Sequence, residues 1–326
     1  MEIIRDPSPG DRPPGGAVVT IGAYDGVHLG HQWVISEVIR RARQARLGTT
    51  VVTFDRHPAT VVRPESAPLL LCDLDQKLEL LAATGVDRTA VVTFDEDRAN
   101  ETAEDFVAQV LVGALGARVV VVGEDFHFGH GRKGNVSFLV DMGRDLGFEV
   151  EGISLRVEPD RDEVVSSTRI RALVACGDVA GAARLLGRRF QLRGPVAHGD
   201  ARGATELGFP TANLDLAPEL ALPGVGIYAG IHTRPDGVAH AAAISVGYRP
   251  TFYDTDHAPG DVVPPPLVES HLLDFDGDLY GEEAKVDFVA RLHDEKRFES
   301  VDDLIAQMRI DVDDTRRLMA GEVGAG

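Results

Sequence analysis

The first half of the chain alternates short apolar runs with segments of helical periodicity. Runs rich in β-branched residues predict strands buried on both faces at residues 17–22, 49–55, 88–94, 117–123 and 148–154. Between them, apolar residues such as Ile35, Val38 and Ala42 recur at helical spacing. Asp73 and Thr102 stand where two further helices would be capped. Strand–helix alternation predicts a doubly wound parallel α/β sheet, whose ligands bind beyond the carboxyl ends of the strands.

The second half has a different pattern of apolar and turn-forming residues. Short strand-like runs are separated by Gly, Pro and Asp turns, which predicts a small antiparallel β-barrel. Leu304, Met308 and Val312 then predict a C-terminal helix. Because 326 residues exceed what one core usually serves, we expect two domains, 1–187 and 188–326. The proline-laden stretch 253–266 is expected to be a lid or a solvated loop.

Charge and cysteine usage narrow the function. The formal net charge of −19 argues against nucleic acid and anionic membranes as partners, so a small anionic ligand needs a local positive site. The amino terminus shows no basic start followed by an apolar region, so no signal peptide is expected. Cys72 and Cys176 lie far apart and form no CxxC, which favours reduced thiols and a cytoplasmic location.

The first predicted strand runs into the stretch "GAYDGVHLGHQ" at 22–32. Glycines at 22, 26 and 30 let the backbone approach a ligand, and a helix N-terminus there would attract an anion. His28 and His31 could instead be zinc ligands, but zinc needs more ligands than a pair. They could also be incidental residues at a helix start. The context favours imidazole N–H groups that face the phosphates of a nucleotide.

The segment "HLGH", followed later by "VSSTRIR" at 165–171, resembles the HxGH nucleotidyltransferases. The resemblance implies that His28 and His31 serve adenylyl transfer. It also implies an ATP-binding set made of Gly22, Tyr24, Asp25, Gly30, Ser166, Ser167, Thr168, Arg169 and Arg171.

Two further stretches, "VVTFDRHP" (51–58) and "VVGEDFHFGHGRKGN" (121–135), resemble the flavin adenylyltransferase module of bacterial bifunctional riboflavin kinase/FAD synthetases. By this resemblance Asp125, Phe126 and Phe128 help to hold the flavin, although the two phenylalanines could also be ordinary core residues. The second stretch is not a P-loop, because Asn135 stands where a lysine is needed.

In the second half, "GPVAHGDARGATELGFPTANL" (194–214) and "VESHLLDFDGDLYG" (268–281) resemble the riboflavin kinase domain, a six-stranded Greek-key barrel with a helical tail. The resemblance implies that Thr211 and Asn213 serve the ATP phosphates and a Mg²⁺ ion. Glu269 is then the general base, since a ribityl hydroxyl needs a carboxylate to accept its proton. "DFDGD" is no EF-hand, because Leu279 and Lys285 occupy the required glycine and glutamate positions.

The sequence departs from the kinase pattern at three points. "GATELG" (203–208) lacks the usual arginine and is one residue longer, Ser245 stands where asparagine is common, and the loop over 257–266 is long.

Together these features predict a bifunctional transferase. ATP phosphorylates riboflavin to FMN, and a second ATP adenylylates FMN to FAD with release of pyrophosphate. Riboflavin, FMN, FAD and ATP are the expected partners, with Mg²⁺ as cofactor and neither nucleic acid nor a membrane. One alternative is a flavin- and ATP-binding adenylyltransferase with a decayed, regulatory kinase barrel. Another is an HxGH transferase acting on pantetheine phosphate or a nicotinate nucleotide, in which the barrel would have no purpose.

Overall fold

A computed structural model describes residues 1–154, 165–197, 209–248 and 266–320. The chain divides into two compact units, Met1–Ser167 and Thr168–Gly326. The sequence predictions for 203–208 lie outside the described residues, as do those for 253–266 except at Pro266.

The first unit is built on a six-stranded sheet in which every neighbouring pair is parallel. Its strands are β1 (Glu2–Arg5), β2 (Ala17–Ile21), β3 (Gly48–Phe54), β4 (Arg88–Val92), β5 (Ala117–Gly123) and β6 (Glu149–Ile153). The five predicted strands are all present. Strand β1 escaped prediction because it is a short edge strand with only Ile4 buried, which leaves little periodicity to read.

The order of the strands, β1-β4-β3-β2-β5-β6, defines where ligands can bind. From β2 the chain moves outward through β3 and β4, and then returns to β5 on the other side of β2. The segments that follow β2 and β5 therefore leave neighbouring strands at the point where the winding direction reverses. In open α/β sheets this switch point is the usual ligand crevice.

Helices connect these strands and cover the sheet. They are α1 (Leu29–Ala45), α2 (Ala59–Val62), α3 (Leu74–Ala83), α4 (Glu96–Asn100), α5 (Ala103–Asp105) and α6 (Val136–Leu146). The predicted caps are confirmed: Asp73 accepts from Gln76 N–H, and Thr102 accepts from Asp105 N–H. Helix α5 continues as a π-helix over Phe106–Ala114, which the sequence pattern did not distinguish from an α-helix.

The second unit is a barrel with helices. Its elements are α7 (Ser167–Ala175, whose first residue still belongs to the first unit), α8 (Val179–Leu186), β7 (Phe190–Ala197), β8 (Ala212–Leu214), β9 (Gly226–Thr233), β10 (Ala239–Gly247), β11 (Leu267–Leu272), β12 (Glu283–His293) and α9 (Val301–Met319). The six strands close in the order β10-β11-β8-β7-β12-β9, and every pair is antiparallel. Helix α9 packs on β9 and β10. The predicted fold class, a parallel α/β sheet followed by an antiparallel barrel with a C-terminal helix, is confirmed.

The compact units divide after Ser167, and α8 lies against the barrel strands β7 and β12. The expected domain boundary of 187/188 stays a prediction. Helical periodicity alone does not reveal which of two cores an amphipathic helix covers.

No helix among the described residues is long and apolar enough to cross a membrane.

Candidate active sites

The histidine pair lies at the start of α1, directly after β2. His28 is buried and is the N-cap of the helix, and its Nδ1 accepts a hydrogen bond of 3.3 Å from His31 N–H. An accepting Nδ1 places the proton of the neutral ring on Nε2. The N-cap of α1 is therefore a histidine whose Nε2–H is a hydrogen-bond donor.

His31 stacks on this cap. The two imidazole rings are nearly parallel, with centroids 3.6 Å apart, and the Tyr24 ring lies 4.9 Å from that of His31. Burial lowers the pKa of His31 well below its usual range, and the nearby His28 and Lys77 lower it further. His31 is thus neutral near pH 7. Its buried Nδ1 has no hydrogen-bond partner among the described residues.

The loop that leads into α1 is strained. Tyr24, Gly26 and Val27 have φ angles of 51°, 77° and 38°. Positive φ is unfavourable for a β-branched residue such as Val27. Each such residue costs roughly 1–3 kcal/mol and persists only where its surroundings enforce it. Strain of this kind concentrates at functional sites, where the surrounding contacts hold a fixed geometry.

Contacts from other elements enforce this geometry. Asp25 is buried, and its Oδ1 accepts from Leu71 N–H at 2.9 Å. The Asp25 carbonyl accepts from Ser167 Oγ at 3.0 Å, and the Val27 carbonyl accepts from Gln32 Nε2 at 2.9 Å. The structure therefore brings the predicted residues Asp25 and Ser167 into contact with each other.

Tyr24, one of the predicted ATP-binding residues, points into the protein. Tyr24 is buried, its hydroxyl lies 2.7 Å from Thr20 Oγ1, and burial raises its pKa. A Cβ added to Gly22 would lie 3.1 Å from the Tyr24 ring, and one added to Gly30 would lie 3.2 Å from the His28 ring. In this structure these two glycines leave room for the aromatic rings of the loop itself.

The remaining predicted residues of this set lie around the start of α7. Ser166 and Arg171 are half-buried, whereas Thr168 and Arg169 are exposed.

The predicted flavin residues follow β5. Phe126 and Phe128 are half-buried and stack with centroids 5.4 Å apart, and Phe128 also contacts the rings of Phe106 and Phe138. Asp125 is exposed, and its carbonyl lies 2.7 Å from His127 Nδ1. An aromatic shelf of this kind, partly open at the switch point, suits a planar ring system.

The predicted kinase residues form a row across three barrel strands. Glu269 on β11 lies opposite Asn213 on β8 and opposite Ser245 on β10. The sequence neighbours of these three residues, Ala212, Ile244 and Ser270, are buried. Because side chains alternate between the two faces of a strand, the row itself faces away from the barrel interior. Its three members are half-buried. Directly opposed side chains on an antiparallel pair lie about 5 Å apart at Cβ, within reach of one substrate.

Comparison with known proteins assigns the two units. The family model "FAD synthetase" matches residues 11–169, and the model "Riboflavin kinase" matches residues 186–319. The bifunctional riboflavin kinase/FMN adenylyltransferase of Pseudomonas fluorescens is 37% identical over 305 residues, which cover 94% of this chain and 94% of that protein. The Escherichia coli K12 protein of the same description is 36% identical over 304 residues, 92% of this chain and 91% of its own.

This chain belongs to the bifunctional riboflavin kinase/FMN adenylyltransferase family. A crystal structure described as a macrolide-efflux protein from Streptococcus pneumoniae shares its fold, with a TM-score of 0.81 and 31% identity, over 97% of this chain and 99% of that one. Both family models match, and the match to the bifunctional relatives extends over almost their full length. These findings support the bifunctional enzyme and not the alternative with a decayed barrel.

Two side chains that the sequence analysis missed stand out in this member of the family. Lys77 occupies the apolar stripe of α3 beside Leu78 and Leu81, and a charged residue in a core-facing stripe was the available signal. His271 follows Glu269 by two residues on the same face of β11, which was the corresponding signal in the barrel.

His271 supports the motif that carries Thr211. Its Nδ1 lies 2.8 Å from the Pro210 carbonyl, so the ring nitrogen donates, and its ring packs edge-on against Phe209 at 5.3 Å. The contact links β11 to the segment immediately before β8.

Proposed function

We propose that this enzyme makes FAD in two ATP-dependent steps at two separate sites. The barrel row phosphorylates riboflavin to FMN, and the site at the switch point of the parallel sheet adenylylates FMN. The observation that carries the proposal is that the strained histidine loop and the aromatic shelf of Phe126 and Phe128 follow neighbouring strands, β2 and β5. Nucleotide phosphates and a flavin ring could therefore meet at one edge of the sheet.

In the kinase step, Glu269 accepts the proton of the ribityl hydroxyl. The freed oxygen attacks the γ-phosphorus of ATP, the bond from that phosphorus to the bridging oxygen breaks, and ADP leaves. Half-burial of Glu269 beside Asn213 and Ser245 supports this role, because the carboxylate is shielded yet remains accessible from the outer face of the barrel.

The same row suits a magnesium ion. The Thr211 hydroxyl and the Asn213 amide offer oxygen, the ligand type that this hard cation prefers, and both side chains are half-buried. We place Mg²⁺ on these two residues together with ATP phosphates. When bound, it would neutralise phosphate charge during transfer. Thr211 and Asn213 would also orient the nucleotide toward Glu269.

In the adenylyl step no base is needed, because the FMN phosphate is already anionic. One of its oxygens attacks the α-phosphorus of ATP, and pyrophosphate leaves with the displaced bond pair. The neutral rings of His28 and His31 and the N-terminus of α1 stabilise the charge on the phosphates. Ser166, Ser167, Thr168, Arg169 and Arg171 add donors for the β- and γ-phosphates in this proposal. Asp25 and Tyr24 act from below the loop, through the contacts that hold it.

We also propose a cytoplasmic location. Neither the buried Cys72 nor the exposed Cys176 forms a disulfide, which suits a reducing compartment.

Separate inactivation of the two sites tests the proposal. His31→Ala should reduce FAD formation from FMN by about 100-fold or more and leave riboflavin phosphorylation unchanged. Glu269→Gln should do the reverse, by a factor of about 100 or more. Both rates are measured by chromatography of the flavins, with ATP and magnesium present. Each variant serves as the folding control for the other. A folded variant that lost both activities, or neither, would contradict the assignment of separate sites.

A further inference from the structure

Lys77 lies buried beneath the histidine loop, and nothing in the two reactions as described requires it there. Its side chain comes from α3, and the residue is 8% exposed. Nζ donates to the Phe54 carbonyl at 2.8 Å and to the Ala23 carbonyl at 3.3 Å. Phe54 is the last residue of β3, and Ala23 lies two residues beyond the end of β2, so one ammonium group links both strand ends.

The Ala23 carbonyl is the more informative partner. It also accepts a hydrogen bond of 3.1 Å from Thr53 Oγ1, so two donors converge on one backbone oxygen. The next residue, Tyr24, has the first of three positive φ angles in this loop, and the others are at Gly26 and Val27. The orientation of the Ala23 peptide therefore fixes the start of the strained turn, and the turn fixes the direction in which His28 and His31 emerge.

A buried ammonium group needs a reason. Removing a charge from water is unfavourable, and burial lowers the pKa of Lys77, while the nearby Cys72, Asp25 and Asp55 oppose this shift. Two hydrogen bonds that only orient strand ends could be supplied by a neutral side chain with two N–H donors, such as a glutamine amide. The charge acts on the site, because the proximity of Lys77 contributes to the lowered pKa of His31.

We propose that Lys77 is a positioning residue for adenylyl transfer. Its two hydrogen bonds hold the strained turn in the geometry that presents His28 and His31. Its positive charge adds to the local positive potential that a triphosphate needs in a molecule of net charge −19. The inference rests on the proposed adenylyl-transfer function of the histidine loop.

The test compares Lys77→Met, which keeps the length of the side chain but removes charge and donors, with Lys77→Arg, which keeps both. FAD formation from FMN and ATP is measured for each, and riboflavin phosphorylation by the same preparation reports on the folding of the rest of the chain. Lys77→Met should lower kcat for FAD formation by about 100-fold, the effect expected of misplaced catalytic groups, with KM for FMN changed by less than about twofold. Lys77→Arg should recover most of this loss. Lys285→Met, at an exposed position on β12, is the matched control and should match the wild type.

The pH dependence of kcat distinguishes an effect of the Lys77 charge on His31 from a purely structural role of the side chain. In Lys77→Met the acid limb of kcat for FAD formation should move to higher pH, because His31 loses a nearby positive charge. A purely structural role would lower the rate equally at every pH. If Lys77→Met formed FAD at the wild-type rate and with an unshifted acid limb, the inference would be overturned. If the wild type itself made no FAD from FMN, the proposed function would fail instead.

A second variant covers the case in which Lys77→Met does not fold. Thr53→Val removes the other donor to the Ala23 carbonyl and leaves the charge in place. It should lower kcat for FAD formation by about tenfold without moving the acid limb. An unchanged kcat in folded Thr53→Val would show that the orientation of the Ala23 peptide does not matter, and the inference would be rejected.

Discussion

At the scale of single residues, the two candidate sites depend on side chains that other residues hold in place. In the loop after β2, Tyr24 and Val27 keep unfavourable positive φ angles. Hydrogen bonds of the Asp25 and Gln32 side chains hold the turn in this conformation. In the loop after β5, Phe128 and Gly134 exchange two backbone hydrogen bonds of 3.0 Å, which close the intervening residues into a compact loop. The glycine there is required for contact rather than for its φ angle.

Gly134 therefore provides a test of the aromatic shelf. A Cβ at this position would lie 2.6 Å from Cε1 of Phe128, so Gly134→Ala must displace the ring from its stack with Phe126. We expect KM for FMN in the adenylyl step to rise by about fivefold, since an aromatic pair contributes ~1 kcal/mol. Riboflavin phosphorylation should not change.

The control for this substitution is Ser137→Ala, at an exposed position on α6. An unaltered KM for FMN in folded Gly134→Ala would show that the shelf does not hold the flavin.

At the scale of elements, apolar periodicity and capping residues identified most helices and strands. They did not reveal the type of helix or how an element packs on its neighbours. The stripe of α1 was correctly predicted, and the helix ends where Arg46 adopts a left-handed φ of 56°. The π-helical stretch over 106–114 has the same apolar residues that an α-helix would need, so periodicity could not separate the two. The extent of α9 was likewise clear, but its attachment to the barrel was not.

A buried carboxylate fastens α9 to the barrel. Asp311 Oδ1 lies 2.8 Å from His293 Nε2 on β12 and accepts a 2.8 Å hydrogen bond from Gln307. Asp311→Ala removes both bonds and deprives two half-buried side chains, His293 and Gln307, of this acceptor. We expect a loss of about 1–3 kcal/mol in the free energy of unfolding of the barrel, with faster amide hydrogen exchange in α9.

Asp313→Ala is the matched control on the same helix. Its carboxylate is exposed and lies 3.4 Å from Arg316, a pair that should contribute less than about 1 kcal/mol. Equal hydrogen exchange in the two variants would mean that the buried bonds do not hold the helix.

At the scale of the whole molecule, two effects of acidification oppose each other. The net charge of −19 becomes smaller as carboxylates are protonated, which relieves repulsion in the compact state. Inside the barrel, burial lowers the pKa of His232 from 6.5 to about 4, with His240 and Arg234 adding to this shift and Glu282 opposing it. The first effect stabilises the folded protein at lower pH, and the second destabilises it.

The sign of the histidine contribution follows from its lowered pKa. Between pH 6.5 and about 4 the unfolded chain binds a proton at His232 and the folded chain does not, so the free energy of unfolding falls as the pH falls. The full difference is on the order of 3 kcal/mol. We expect His232→Gln to lose less stability than the wild type on going from about pH 7 to about pH 5, as measured by scanning calorimetry. Equal losses in the two proteins would show that His232 does not control the acid sensitivity of the barrel.

The amino-acid sequence by itself determined the classes of element and much of the chemistry. Alternating strands and helices predicted the parallel sheet, turn-rich β texture predicted the barrel, and the order of the glycine, histidine and serine motifs pointed to a nucleotide site. These signals are local, because helix caps and periodicity depend on residues within a few positions of one another. The predicted roles of the individual site residues stay predictions.

Only the tertiary structure decided which distant residues meet. Strand pairing sets Glu269 beside Asn213, and packing brings the Lys77 ammonium to the Ala23 carbonyl and His271 to the Pro210 carbonyl. The same packing assigns α8 to the barrel. Such contacts join residues many positions apart, and their geometry follows from sheet order, register and the filling of a core. No local pattern in a sequence carries that information.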